Sequence, residues 1–191
     1  MPNLYVIGGA NGSGKTTVAK QLLPSFSPNF EYVNADEIAA GLSPFNPESV
    51  AIQAGRLMLE RLRSLKSAKV DFAFETTLAA RTFAPFLRKC QNEADYTINL
   101  LYFWLSSPNL AVNRVARRVE AGGHNIPVEV IRRRYDRGRK NFIELYLPLA
   151  DRWIVYDNSR ADPELVAERP KDGIAIIYQT DTWNQINTAN P

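Results

Sequence analysis

Gly9-Ala10-Asn11-Gly12-Ser13-Gly14-Lys15-Thr16 reads G-x-x-x-x-G-K-T, and this octet decides the fold. The run before it, Leu4-Tyr5-Val6-Ile7, is short, apolar and β-prone. The run after it, Thr17-Val18-Ala19-Lys20-Gln21-Leu22-Leu23, suits a helix that stops at Pro24. Strand, glycine loop and helix is the context that turns the pattern into a phosphate site. Glycines let the loop curl with its amide groups pointing inward, and the helix N-terminus adds partial positive charge. The expected nucleotide-binding residues are therefore Gly9, Ala10, Asn11, Gly12, Ser13, Gly14, Lys15, Thr16 and Thr17. Lys15 can reach the β- and γ-phosphates, and the Thr16 hydroxyl can ligate Mg²⁺. The competing reading is a glycine-rich turn before an ordinary helix.

The chain has 191 residues and is 45% hydrophobic, enough for one α/β domain with a substantial core. No stretch approaches the length of a membrane span. Met1-Pro2-Asn3 lacks the basic segment of a signal peptide, and Cys90 is the one cysteine, so no internal disulfide can form. A cytoplasmic protein is expected. Residues 182–191 are polar and are expected to form a poorly ordered tail behind a single domain over 1–181.

Net charge is only +3, but its distribution is uneven. Arg114 to Lys140 holds nine basic and three acidic residues, a local +6, which leaves −3 for the remainder. Such a segment can bind nucleic acid or embrace nucleotide phosphates.

Apolar β-prone runs recur at 4–7, 32–33, 70–74, 98–105, 153–156 and 174–178, with helical patterns between most of them. Asn46-Pro47 is a good cap and first-turn pair, and Val50, Ala54, Leu57, Met58, Leu62 and Leu65 then repeat at helical spacing. Ser107-Pro108 starts another helix, Gly122-Gly123 ends it, and a third runs from about Pro127 to Leu147. This alternation predicts a three-layer α/β fold with a parallel central sheet, and the helix–Gly-Gly–helix stretch over about 108–147 suits a helical lid. Ligands of such sheets bind beyond the carboxyl ends of the strands.

Three polar clusters fall at those ends: Asn34-Ala35-Asp36-Glu37, Glu75-Thr76-Thr77 and Asp157-Asn158-Ser159. Asp36 is the candidate catalytic base, since phosphoryl transfer needs one carboxylate to aim and deprotonate the attacking hydroxyl. Its other reading is a cap on a short helix over Glu37–Ala40. Glu75, ending an apolar strand, could hold Mg²⁺ through water or grip substrate hydroxyls; otherwise it is an N-terminal charge on the next helix. Thr76 and Thr77 read as hydroxyl donors or as caps. Asn158 lies where an adenine could sit, although a side-chain-stabilised turn explains the cluster equally well.

Among the basic residues, Arg114 and Arg118 share a helix face with Arg117 close by, whereas Arg132, Arg133 and Arg134 must diverge. An arginine at the γ-phosphate would neutralise charge on the transferring group; a solvated basic face is the alternative. Helix–Gly-Gly–helix also makes a sensible hinge, shaped by His124, the single histidine.

Taken in order, Gly8-Gly9-Ala10-Asn11-Gly12-Ser13-Gly14-Lys15-Thr16-Thr17, Asn34-Ala35-Asp36, Glu75-Thr76-Thr77-Leu78, Gly122-Gly123-His124-Asn125-Ile126-Pro127, Arg133-Arg134-Tyr135 and Asp157-Asn158-Ser159 resemble the zeta-toxin family of P-loop kinases, in particular its short members. The resemblance covers roughly residues 3 to 160. It implies ATP and Mg²⁺ as cofactors, Asp36 as base, Glu75 as the substrate-orienting acid, and Arg118 and Arg134 as lid arginines on the ATP phosphates. Zeta toxins phosphorylate the sugar of UDP-N-acetylglucosamine and are restrained by a small antitoxin. This chain departs from them in its shorter length and in Ile38-Ala39, where an arginine usually follows the aspartate closely.

The leading expectation is thus an ATP- and Mg²⁺-dependent kinase acting on a hydroxyl of a small molecule such as a nucleotide sugar. A nucleic-acid end kinase ranks lower because aromatic residues do not interleave with the arginines. The third reading is a non-enzymatic ATP module.

Overall fold

A computed structural model describes residues 1–23, 30–123 and 125–188. Pro24 and His124, assigned above to a helix stop and a hinge, lie outside the described residues. Five strands run parallel: β1 (Asn3–Gly9), β2 (Glu31–Val33), β3 (Phe72–Thr76), β4 (Thr97–Trp104) and β5 (Arg152–Asp157). Two more, β6 (Glu164–Arg169) and β7 (Ile176–Ile177), add antiparallel at one edge, giving the order β2-β3-β1-β4-β5-β6-β7. The sequence reading missed β6 because Glu164-Leu165-Val166-Ala167-Glu168-Arg169 carries charges at both ends of its apolar centre.

Alternation within β1 sorts the two layers. Leu4 and Val6 face a large core shared with α3 (Ala51–Ala68) and α4 (Phe83–Ala94), into which Met58, Leu62, Leu87 and Cys90 are buried. Ile7 faces the other side, against Ala19 and Leu23 and near Phe103, under α1 (Lys15–Leu22). Above the carboxyl ends, α5 (Pro108–Glu120) and α6 (Val128–Asn141) form a third cluster through Ala111, Val115, Ile131 and Tyr135, which closes over Ala10. A π-helical segment, Phe142–Tyr146, continues α6, and Phe142 stacks on Tyr102 with ring centroids 3.9 Å apart.

The polar tail differs from expectation. Thr180–Asn187 forms α7, Ile186 is buried, and Trp183 stacks on Trp153 at 5.4 Å and 3°. Two apolar residues spaced three apart sufficed to dock it, a signal too sparse to outweigh the polar composition. Among the described residues, no helix is long and apolar enough to cross a membrane.

Candidate active site

The glycine loop leaves β1 through Gly9 and enters α1 at Gly14, with φ of 147° at Gly9, 77° at Gly12 and 83° at Gly14. Only glycine adopts these angles without strain. At Gly14 a Cβ would also lie 2.4 Å from the Asn158 amide nitrogen. No side chain caps α1, so its first-turn amides have no capping acceptor. Ser13 Oγ is buried and has no hydrogen-bond partner among the described residues. A cradle of open donors at a helix N-terminus fits a phosphate chain.

Lys15 is buried and donates to the Ala10 carbonyl at 2.8 Å. Burial pushes its ammonium below the ordinary lysine range. The charges of Glu75 and then Asp36 oppose that shift, while Arg118 adds to it. Glu75, Asp36 and Arg118, expected from three separate segments, therefore all act on Lys15.

Glu75 is the hub. Its Oε2 accepts from the Tyr32 hydroxyl at 2.6 Å, the Thr16 hydroxyl at 2.8 Å and the Asn34 amide at 3.3 Å. Its Oε1 lies 3.7 Å from Lys15 Nζ. The reading of Glu75 as a first-turn charge fails, because α4 begins eight residues later at Phe83. Tyr32, whose hydroxyl is held protonated by burial and by the adjacent Glu75 charge, escaped the sequence reading. It passed as one apolar residue of a strand; its signal was its place, two residues before the polar cluster.

Asp36 lies in the first turn of α2 (Ala35–Leu42), and the cap on that helix is Asn34, whose Oδ1 accepts from the Asp36 amide at 2.8 Å. The capping reading of Asp36 is thereby corrected, and the residue is exposed, with its charge felt at Lys15. Thr76 caps no helix either; its Oγ1 accepts from the Leu78 amide at 3.1 Å.

The arginines divide. Arg118 is half-buried beside the hinge, where Gly123 packs so tightly that a Cβ would meet its Cγ at 2.6 Å. Arg134 is half-buried on α6, whereas Arg117 and Arg133 are exposed. Arg114 donates to the carbonyls of Ser159 (3.2 Å) and Arg160 (3.1 Å), and Arg132 donates to Asn109 at 2.6 Å. Asn158 donates to the Ser13 carbonyl at 2.7 Å, tying the end of β5 to the glycine loop. Beside it, a cleft of about 390 Å³ is lined by Leu110, Asn113, Arg114, Arg117, Ser159 and Arg160. A larger cavity, about 840 Å³, opens between α6 and α7, but none of Lys15, Asp36 and Glu75 lines it.

A glycine cradle on a mostly parallel sheet, with a lysine and an acid converging on its mouth, defines a P-loop kinase. Residues 1–181 match the zeta toxin family, and the chain belongs to that family. It is 28% identical over 129 residues, 66% of this chain and 88% of the other, to an uncharacterized protein of Haemophilus influenzae. A chain of the AvrRxo1-ORF1:-ORF2 structure with ATP is similar at a TM-score of 0.81 and 15% identity; the match takes in 100% of this chain and 65% of that longer one. A chain of the PezAT chromosomal toxin–antitoxin system of Streptococcus pneumoniae is similar at a TM-score of 0.64 and 19% identity, over 88% of this chain and 72% of that one. At these identities the two structural likenesses speak for the fold, and family membership supplies the class, a nucleotide-using phosphotransferase.

Proposed function

We propose that this chain transfers the γ-phosphoryl group of ATP to a hydroxyl of a small molecule, a nucleotide sugar such as UDP-N-acetylglucosamine. The observation that carries the reading is the convergence of Lys15, Thr16 and Glu75 on one point, with the charge of Asp36 felt at Lys15. In the reaction, the acceptor O–H gives its proton to the Asp36 carboxylate and the acceptor oxygen bonds to the γ-phosphorus. The bond from that phosphorus to the β–γ bridging oxygen breaks, and ADP leaves. Lys15, Arg118 and Arg134 supply positive charge to the transferring group. The 390 Å³ cleft between Arg114 and Ser159 offers room for the base, with Asn158 holding the cradle against it.

Thr16 Oγ1 and Glu75 Oε2 are hard oxygen donors 2.8 Å apart, a donor set that fits Mg²⁺. These two residues would hold the ion, Glu75 directly or through water, and the bound ion would neutralise charge on the phosphates. In its other role Glu75, with Thr76, orients the acceptor hydroxyls. A small antitoxin protein is the proposed partner, in line with the PezAT toxin–antitoxin system. The cytoplasm, where ATP is abundant, is the proposed compartment.

The test is Asp36→Asn. It should leave Mg²⁺-ATP binding by calorimetry within twofold of wild type. Transfer of label from γ-labelled ATP should fall at least a hundredfold, at the low end of what a positioned base contributes. Undiminished transfer in that variant would remove Asp36 as the base.

A further inference from the structure

The loop after β3 is held by an unusual number of contacts from one helix. Leu78 adopts φ 59°, a left-handed conformation that a bulky L-residue takes only when its surroundings impose it. Its side chain is fully buried and lies over Gly8, where a Cβ would meet Leu78 Cδ1 at 2.7 Å. Its carbonyl and that of Ala79 both accept from the amide of buried Asn141, at 2.8 and 3.2 Å. The next carbonyl, of Ala80, accepts from the Tyr146 hydroxyl. The preceding one, of Thr77, touches Gly138 so closely that a Cβ there would stand 2.3 Å from the oxygen. Four successive carbonyls, 77 to 80, are thus met by α6 and the π segment that continues it. The same loop follows directly on Glu75 and Thr76, which end β3, and Arg134 stands one turn before Gly138 on the same helix.

We infer that Asn141 is a positioning residue for the phosphoryl acceptor: by clamping the Leu78 and Ala79 carbonyls it holds Thr76 and Thr77 in fixed register with Glu75 and Arg134. This rests on the kinase reading above and adds to it the part of the fold that sets acceptor geometry. Asn141 touches neither the glycine loop nor Lys15 in any described contact, so the clamp acts on the acceptor side of the cleft. It also ties the C-terminal end of α6 to the loop after β3.

The experiment compares wild type with Asn141→Ala, which releases the loop, and Gly138→Ala, which pushes against it. Amide hydrogen exchange should quicken at least tenfold at residues 76–81 and stay unchanged at 9–17. Mg²⁺-ATP affinity by calorimetry should stay within twofold. With UDP-N-acetylglucosamine as the acceptor probe, or the small-molecule fraction of a bacterial extract in serial dilution, half-saturation should rise about tenfold in both variants, with kcat changed less than threefold. Equal loss of ATP affinity and acceptor affinity would reveal a merely structural role and overturn the inference. So would an unchanged acceptor constant despite faster exchange. If wild type labels no acceptor at all, the kinase reading fails, and unchanged exchange at 76–81 in both variants then overturns the clamp separately.

Discussion

Replacing Glu75 by Gln keeps the size of the side chain and one oxygen to accept from Tyr32 and Thr16, and removes the charge and the second acceptor oxygen. In wild type the Lys15 ammonium, 5% exposed, has the Glu75 carboxylate, 9% exposed, at 3.7 Å. Breaking a buried ion pair by removing one partner costs about 3–5 kcal/mol, because the other charge stays buried. Lys15 retains its bond to the Ala10 carbonyl and the charge of Asp36, so the low end applies, about 3 kcal/mol. For a domain of this size that corresponds to a fall in Tm of roughly 6–12 °C, measured by scanning calorimetry and checked by urea titration. The loss depends on pH in a definite direction. Lys15 already titrates below the lysine reference of 10.5, and without Glu75 it titrates lower still. A depressed base in the native state leaves the unfolded chain holding the extra proton, so stability rises with pH between the native and unfolded values. The gap between wild type and variant should therefore narrow as pH climbs toward 10.5. ATP should also restore more stability to the variant than to wild type, since its phosphates resupply the missing counter-charge. A loss below about 1 kcal/mol at neutral pH would refute the idea that Glu75 balances Lys15.

Gly14→Ala forces a side chain into positive φ and onto the Asn158 amide 2.4 Å away, and should destabilise by about 1–3 kcal/mol while weakening ATP binding in calorimetry. Trp183→Ala removes the stack on Trp153 and should cost about 2 kcal/mol in urea denaturation, with a blue-shifted or quenched Trp153 band changing in the same variant. All eight tyrosines titrate above the ordinary phenol range, Tyr96, Tyr135 and Tyr146 at about 12, chiefly through burial except at Tyr178, where the bond to Glu168 leads. At the buried tyrosines, raised native values mean stability that is whole below pH 10 and lost as pH rises beyond it, so most of the phenolate absorbance should develop together with loss of near-ultraviolet dichroism rather than before it, the exposed Tyr178 excepted.

What could be read from the chain followed from how local each feature is. Gly9 to Thr16 is contiguous, and its strand and helix flanks are written beside it, so loop, β1 and α1 were legible together. The placement of Asp36 and Glu75 beside the strand ends was legible because a parallel sheet brings such residues to one edge, whatever their separation in sequence. Tyr32 and Asn141 were not, for the opposite reason. Each is an ordinary member of its own element, a β-prone aromatic and a polar residue near a helix end. Each becomes informative only through a partner 43 or 63 positions away. The antiparallel edge was hidden in a similar way, since β6 is amphipathic over six residues and β7 has only two.

The same contrast bears on how the site works. On the proposed reading, most groups that meet phosphate come from one short stretch, the glycine loop and the start of α1, with Arg118 and Arg134 added from the two helices above it. On the same reading, groups that orient the acceptor come from the end of β3, the loop after it and α2, with Asn34 bonded to Glu75 and the loop held to α6 and its continuation through Asn141–Leu78, Asn141–Ala79 and Tyr146–Ala80. Nucleotide binding should therefore tolerate changes at Gly138 and Asn141, the end of α6 that meets the loop, that acceptor use does not. Substitution of Asn141 or Gly138 should separate the two functions where substitution of Lys15 abolishes both. If changes in α6 instead lowered ATP affinity as steeply as Lys15→Ala, the two halves of the cleft would be one cooperative unit, and the division of labour argued from these bonds would be wrong.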